Sequence, residues 1–211
     1  MIQVGSTATG YACPKALGAA FCAALLLASP VQAETLPSLA QVTGISAGDV
    51  LNVRDGAGAQ FADIGDLNAG AQVEVIDYSA DGTWAQITWQ EGNAWVAARY
   101  LEDVPQPQLE SGLPVGLRCS GGEPFWSLTL SETGTATFSS PAGSTENLVE
   151  WSAPSQNEGT LRYAFTSSQI TGVLSRSQCI AAGTGQTLGW TLDVILTGDA
   201  NALLSGCCTA N

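Results

Sequence analysis

The sequence predicts an all-β protein in which a small barrel is followed by a second antiparallel β-barrel. Apolar and polar residues alternate in short segments, which is the pattern of half-buried strands. Turn-forming pairs such as Asp55-Gly56 and Asp81-Gly82 separate these segments. Residues 105–116 carry three prolines and divide the chain in two. We therefore predict a first barrel at residues 42–104, a stiff linker at 105–116 and a second barrel at 117–211.

Residues 1–33 are predicted to be a signal peptide. Lys15 precedes an apolar run of small residues at 16–28, and Val31 and Ala33 suit the −3 and −1 positions of a cleavage site. The run is shorter than the about 20 residues that span a membrane, and a retained N-terminal anchor is the alternative. Phe21 is too bulky to precede a lipidated Cys22. The mature protein is expected to be periplasmic or secreted.

Cleavage after Ala33 is a testable consequence of these small residues. N-terminal sequencing of protein recovered from the periplasm is expected to begin at Glu34. Recovery of the uncut chain in the membrane fraction would contradict this prediction.

Removal of the leader leaves a strongly acidic chain. All 19 acidic residues follow Ala33 and stand against five arginines, no lysine and no histidine, which is a net charge of −14. Nucleic acids and anionic lipids are bound through cations that neutralise phosphates, so neither is an expected partner. No later apolar stretch approaches membrane length, so stable membrane insertion is not expected either. The net charge further suggests that a charged target would be basic, such as the amine of a peptide stem.

Four cysteines follow the leader, and an even number in an exported chain predicts disulfides. Metal ligation is the weaker alternative because the chain has no histidine and no C-x-x-C pair. Neighbouring residues of a strand face opposite sides, so the two adjacent cysteines are expected to bond different partners. The four residues are Cys119, Cys179, Cys207 and Cys208.

The first barrel is predicted from strands whose apolar residues share one face. Period-two alternation places these residues on the inner wall and their polar neighbours, such as Glu74, on the outside. Asn68-Ala69-Gly70 and residues 91–93 supply further turns. The expected inner residues are Leu51, Val53, Val73, Val75, Ala85, Ile87 and Trp89.

The two ends of this region carry motifs. Residues 51–58 read LNVRDGAG and residues 94–101 read AWVAARYL. Together they resemble the ends of a bacterial SH3-type (SH3b) domain, with Ala57 in place of the usual proline and Ala94 in place of the usual glycine. The resemblance implies an SH3-like barrel that binds cell-wall peptide or a protein partner and is not catalytic.

A barrel of this size cannot bury all its aromatic residues. Trp95 and Tyr100 lie in the closing strand and are expected to be structural. Tyr78 and Trp84 flank the Asp81-Gly82 turn and are predicted to bind ligand, with Asp55 as a polar edge. Arg54 is expected to bond turn carbonyls.

The second region shows roughly eight strand-like segments, which suggests an antiparallel barrel. In residues 188–196 the even positions are apolar and Asp193 points outward, as in a sheet packed on a core. Further strands are predicted at residues 126–130, 135–138, 148–151, 161–165, 170–174 and 203–206.

The opening of this region, residues 119–126, reads CSGGEPFW. It resembles the (C)xGxEPFW motif of an uncharacterised envelope domain akin to META-type β-barrels. The resemblance implies that Cys179 pairs with Cys207, which leaves Cys119 for Cys208. Glu123 within the motif is either a buried site carboxylate with a raised pKa or a partner of the N–H groups of the glycine turn.

The composition narrows the function classes. Without histidine, Ser-His-Asp and Cys-His catalysis and histidine-based zinc sites are excluded. Two alternatives stay open, an enzyme with paired carboxylates and a thiol-redox protein that uses Cys207 and Cys208. We expect a non-catalytic envelope protein without cofactor or metal, whose partner is cell-wall peptide or an envelope protein.

Overall fold

The computed structural model of the protein describes residues 35–156, 161–197 and 201–210. The predicted signal peptide and its cleavage site lie outside these residues. Within the described ranges, no helix has the length and apolarity needed to cross a membrane.

The first sheet contains seven antiparallel strands. They are β1 (Ser38–Val42), β2 (Val50–Arg54), β3 (Asp63–Asn68), β4 (Gln72–Tyr78), β5 (Trp84–Trp89), β6 (Gly92–Ala97) and β7 (Leu101–Val104). Their order in the sheet is β3-β2-β6-β5-β4-β1-β7. A short 3-10 turn, Ala98–Tyr100, connects β6 to β7.

The core of the first sheet follows the predicted alternation. Leu51 and Val53 of β2 are buried, as are Ala85 and Ile87 of β5. Ala94, at the position where the SH3b motif has glycine, is completely buried and packs into the same cluster. A methyl group is therefore accommodated at this position of the barrel.

Strand β4 departs from the predicted alternation because both of its faces are covered. Val73 and Val75 pack into the first core as expected, but Glu74 and Ile76 on the other face are also buried. The prediction that Glu74 faces solvent is therefore wrong. The second sheet packs against this face, since β4 contacts one of its strands, Thr187–Leu196.

The second sheet has nine antiparallel strands. The first five along the chain are β8 (Leu117–Gly121), β9 (Trp126–Leu130), β10 (Thr135–Ser140), β11 (Gly143–Leu148) and β12 (Trp151–Pro154). The remaining four are β13 (Arg162–Thr166), β14 (Ile170–Ile180), β15 (Thr187–Leu196) and β16 (Ala202–Ala210). Their order in the sheet is β11-β10-β9-β8-β16-β15-β14-β13-β12.

The two edge strands of this sheet, β11 and β12, are consecutive in the chain. Only Val149 and Glu150 connect them, so the two edges lie close together and the sheet curls around its core. The predicted strand at residues 148–151 is wrong, because it coincides with this connection. The prediction of an all-β fold with an antiparallel second unit is confirmed.

The core of the second sheet is formed by the predicted face of β15. Trp190, Leu192 and Val194 are almost completely buried, whereas Asp193 is exposed. The proline-rich segment contributes as well, since Leu113 and Val115 are buried in the same cluster. These two residues therefore anchor the end of the segment in the core of the second sheet. The predicted domain boundaries at residues 42, 105 and 117 stay a prediction.

The structure contains two disulfides, Cys119–Cys208 and Cys179–Cys207. These are the pairs that the resemblance implied. Cys119 and Cys208 are directly opposite on β8 and β16, and both face the core. The second disulfide joins β14 to β16. Both bonds therefore hold the C-terminal strand to the rest of the second sheet.

Candidate functional site

A groove of about 350 Å³ lies on the surface of the first sheet. Its walls come from the loop after β1, strand β2, the beginning of β5 and the turn after β6. The side chains that matter most for ligand chemistry are Asp49, Asn52, Arg54, Trp84, Arg99 and Tyr100. Two aromatic rings and two guanidinium groups therefore line one depression.

Trp84 is held in place by the Asp81-Gly82 turn that precedes it. The Asp81 carboxylate accepts hydrogen bonds from the Ser79 hydroxyl at 2.6 Å and from the Thr83 N–H at 3.1 Å. Hydrogen bonds from the Ser79 side chain and from Thr83 hold the pKa of Asp81 below its usual value. The backbone N–H of Trp84 in turn donates to the hydroxyl oxygen of Ser79 at 3.0 Å. The ring is half-buried and packs against the first core.

The two arginines of the groove are fixed by different contacts. Arg54 Nη1 donates to the carbonyl oxygen of Phe61 at 2.9 Å, which is the turn-bonding contact expected for it. The Arg99 guanidinium lies 4.6 Å from the centre of the Tyr100 ring, in cation–π geometry. Arg99 Nη2 also donates to the Tyr100 hydroxyl at 3.3 Å. Tyr100 thus has both a packing role and a place in the groove wall.

The structure does not bring the three predicted ligand-binding residues into one pocket. Tyr78 lines a neighbouring depression of about 530 Å³, and Arg99 borders both. Asp55 is exposed and lines neither, and its N–H donates to the Ala62 carbonyl at 3.1 Å. Of the three, only Trp84 lies in the groove with the arginines, and the binding roles of Tyr78, Trp84 and Asp55 stay predictions.

A second notable arrangement lies between the two sheets, around Glu74 of β4. Its Oε1 accepts hydrogen bonds from Trp190 Nε1 at 3.0 Å and from the Ala210 N–H at 3.1 Å. Its Oε2 accepts one from the Thr209 hydroxyl at 2.7 Å. All three donors belong to the second sheet. The Glu74 carboxyl is therefore the polar centre of the junction between the barrels.

Burial dominates the ionisation of Glu74. Loss of hydration raises its pKa to about 7, against the opposing hydrogen bonds from Thr209, Ala210 and Trp190 and the charge of Arg176. Arg176 lies beside this group, with its guanidinium 5.0 Å from the centre of the Trp190 ring. Burial lowers the pKa of Arg176. The junction thus contains ionisable groups whose charged forms are poorly solvated.

Further contacts join the barrels around this centre. Asn93 Nδ2 donates to the Thr187 carbonyl and its Oδ1 accepts from the Thr187 N–H, both at 2.8 Å. Gln178 Nε2 donates to the Ile76 carbonyl at 3.0 Å. A Cβ at position 189 would lie 2.3 Å from the Cβ of Pro37, so glycine is required there for this close approach.

Glu123 is exposed in the turn between β8 and β9. Of the two alternatives for Glu123, the buried site carboxylate is therefore excluded. Trp126 of the same motif is buried in the second core, whereas Phe125 is 67% exposed. Gly121 permits this packing, because a Cβ there would lie 2.1 Å from Trp126 Nε1. Among the described residues, no group of three or more His, Cys, Asp or Glu side chains is arranged to hold a metal ion.

Sequence reasoning missed two functional candidates, Arg99 of the groove and Glu74 of the junction. The signal for Glu74 was present in residues 72–76, which read QVEVI. Ile76 follows on the same face as Glu74, and an isoleucine beside a carboxylate on an outward face indicates that the face is covered. The signal for Arg99 was only its position next to Tyr100.

Comparison with known proteins bears on the first sheet. Residues 49–102 match the family model of the bacterial SH3 domain. The match contains Arg54, Trp84, Arg99 and Tyr100, so the groove lies largely within the matched region. Searches of curated proteins and of solved structures returned no significant match. The likeness of the second barrel to META-type domains stays a prediction.

Proposed function

We propose that the protein is an exported, non-catalytic component of the cell envelope that binds cell-wall peptide through the groove at Trp84. The observation that carries the proposal is that a half-buried tryptophan and two arginines line a groove within a region similar to bacterial SH3 domains. Such domains commonly bind cell-wall or protein partners. An indole beside hydrogen-bond donors suits an extended peptide, which presents both apolar and polar groups.

Export is supported by the two disulfides, because such bonds form and persist in oxidising compartments. The same bonds disfavour the thiol-redox alternative. Cys207 and Cys208 are bonded to different partners and are 4% and 0% exposed. A redox centre needs an accessible sulfur that can be attacked by a thiolate. We infer that the second barrel acts by packing against the first barrel, which it contacts through the junction at Glu74.

Trp84→Ala is expected to weaken retention of the protein on purified cell-wall sacculi by about 30-fold, because loss of an aromatic anchor typically costs about 2 kcal/mol of binding. The measurement is the bound fraction over a range of sacculus concentrations. Trp151→Ala is the matched control, since Trp151 is 55% exposed on the second sheet, away from the groove.

Trp84 also packs against the first core, so both variants are checked by circular dichroism and assayed well below their melting temperatures. Equal retention of folded Trp84→Ala and wild type would refute the proposed site. If sacculi retain no wild-type protein, and cross-linking in envelope extract captures a protein through the groove instead, the cell-wall proposal is wrong.

A further inference from the structure

The local charge of the groove is opposite to the charge of the whole protein. Five arginines follow residue 33, and two of them, Arg54 and Arg99, line this one groove. Asp49 is the carboxylate among the lining residues, and its Oδ1 accepts a hydrogen bond from the Val50 N–H at 2.9 Å. The expectation from net charge alone was a basic target. The composition of the groove favours an acidic one.

Of the two arginines, Arg99 is the better placed to pair with an acidic group of a ligand. It is exposed, and its described contacts are both with the Tyr100 side chain, which orients the guanidinium by stacking and by one hydrogen bond. A guanidinium has five N–H donors in a planar fork, which is more than the one that the Tyr100 hydroxyl accepts from. A cation fixed in this way loses little side-chain freedom when it pairs with a carboxylate.

Arg54 is less available than Arg99 for pairing with a ligand. One of its donors is used by the Phe61 carbonyl, and its charge acts on nearby Asp63. The main cause of the lowered pKa of Asp63 is the hydrogen bond from Asn52, and the charge of Arg54 adds to it. Arg54 therefore contributes mainly its positive charge to the groove.

Resting on the proposed function, we propose that the groove binds the free carboxylate end of a peptide. Arg99 pairs with the terminal carboxylate, and Trp84 and Tyr100 contact the preceding side chains. Planar, two-point recognition is the geometry in which arginine binds carboxylates most effectively. The Tyr100 ring backs this contact and excludes water from one side of it, which strengthens the ion pair. The peptide can come from the cell wall or from a protein C-terminus.

The test uses three soluble peptides and isothermal titration calorimetry at 0.15 M salt, where the Debye length is about 8 Å and the net charge of the protein is largely screened. The peptides are diacetyl-Lys-D-Ala-D-Ala as the free acid, the same peptide as its C-terminal amide, and the all-L free acid. Wild-type protein is expected to bind a free acid about tenfold more tightly than the amide.

Arg99→Gln is expected to remove this discrimination by weakening the acid to the level of the amide. Arg118→Gln is the matched control, because it removes the same charge from an exposed position on β8 and is expected to leave both affinities unchanged. Preference for the D-configured acid would identify the cell wall as the source, and equal binding of the all-L acid would include protein C-termini. Both results support recognition of a carboxylate.

Equal affinity for acid and amide, with binding that is lost in Trp84→Ala, would overturn the carboxylate assignment and leave the proposed function standing. Failure of all three peptides to bind, while sacculi still retain the protein through Trp84, would overturn it in the same way. If the peptides do not bind and sacculi do not retain the protein either, both proposals are wrong. A tenfold loss of acid binding in Arg118→Gln would show that net charge, rather than the groove, causes the preference.

Discussion

Removal of the Cys119–Cys208 disulfide is expected to lower the free energy of unfolding by about 4–5 kcal/mol. The variant is Cys119→Ala/Cys208→Ala, and the measurement is urea unfolding followed by tryptophan fluorescence. The bond joins residues 89 positions apart, so it closes a long loop in the unfolded chain and restricts its conformational entropy strongly. Both sulfurs are buried in the second core, and their loss therefore also removes packing contacts.

The second disulfide provides the matched comparison. Cys179 and Cys207 are 28 positions apart, so Cys179→Ala/Cys207→Ala is expected to cost about 3–4 kcal/mol by the same loop argument. Cys179 is only half-buried, which makes its replacement less damaging to packing. A larger loss for this pair than for Cys119/Cys208 would show that chain entropy does not control the difference.

Features that depend on local pattern could be predicted from the sequence. The alternation along β15 placed Trp190, Leu192 and Val194 on one buried face because a strand exposes successive side chains to opposite sides. The Asp81-Gly82 turn was predicted because aspartate and glycine stabilise tight turns by side-chain hydrogen bonds and backbone freedom. Each of these features is decided by residues within a few positions of one another.

Features that depend on distant parts of the chain could not be predicted in this way. The burial of Glu74 requires the second barrel, whose donors lie more than 100 positions away. The groove likewise combines residues of four separate segments, and it contains Trp84 but not Tyr78, although both residues flank the same turn. Residues 148–151 are apolar enough for a strand but form the connection between the two edges of a curled sheet. Sequence pattern does not specify that curvature.

The Glu74 junction is expected to make stability fall as the pH rises through the range from about 4.5 to 7. The usual pKa of the group is 4.5, and burial raises it to about 7 in the folded protein. Below pH 4.5 both states hold the proton, and Glu74 causes no loss of stability. Between these values the unfolded chain releases the proton while the folded protein keeps it, so the folded state loses stability as pH rises. Above pH 7 the loss is complete, at about 3 kcal/mol.

Two other carboxylates affect the stability of the fold in a different pH range. Hydrogen bonds lower the pKa of Asp63 and of Asp81 below 3.8, so their contributions are lost as pH falls below that value. Their effect on the pH profile is therefore separate from that of Glu74. Arg176, the charged neighbour of the junction, stays protonated throughout this range, because arginine titrates only at very high pH.

Glu74→Gln is expected to remove the slope between pH 4.5 and 7 and to stabilise the protein by up to about 3 kcal/mol at pH 8. Glutamine keeps a carbonyl oxygen that can accept from Trp190 Nε1 and the Ala210 N–H. Its amide nitrogen can donate to the Thr209 hydroxyl, which in turn lies 3.2 Å from the Ala210 carbonyl and can donate there. The variant therefore preserves the hydrogen bonds of the protonated acid without the buried charge.

Urea unfolding at half-unit pH steps from 4.5 to 8 measures this profile for wild type and variant. Glu102→Gln is the control, since it removes the same charge from an exposed position on β7 and is expected to leave the wild-type slope unchanged. An unchanged slope in Glu74→Gln would show that another group titrates at the junction. Lower stability of Glu74→Gln than of wild type at pH 8 would show that the three donors stabilise the carboxylate by more than its burial costs.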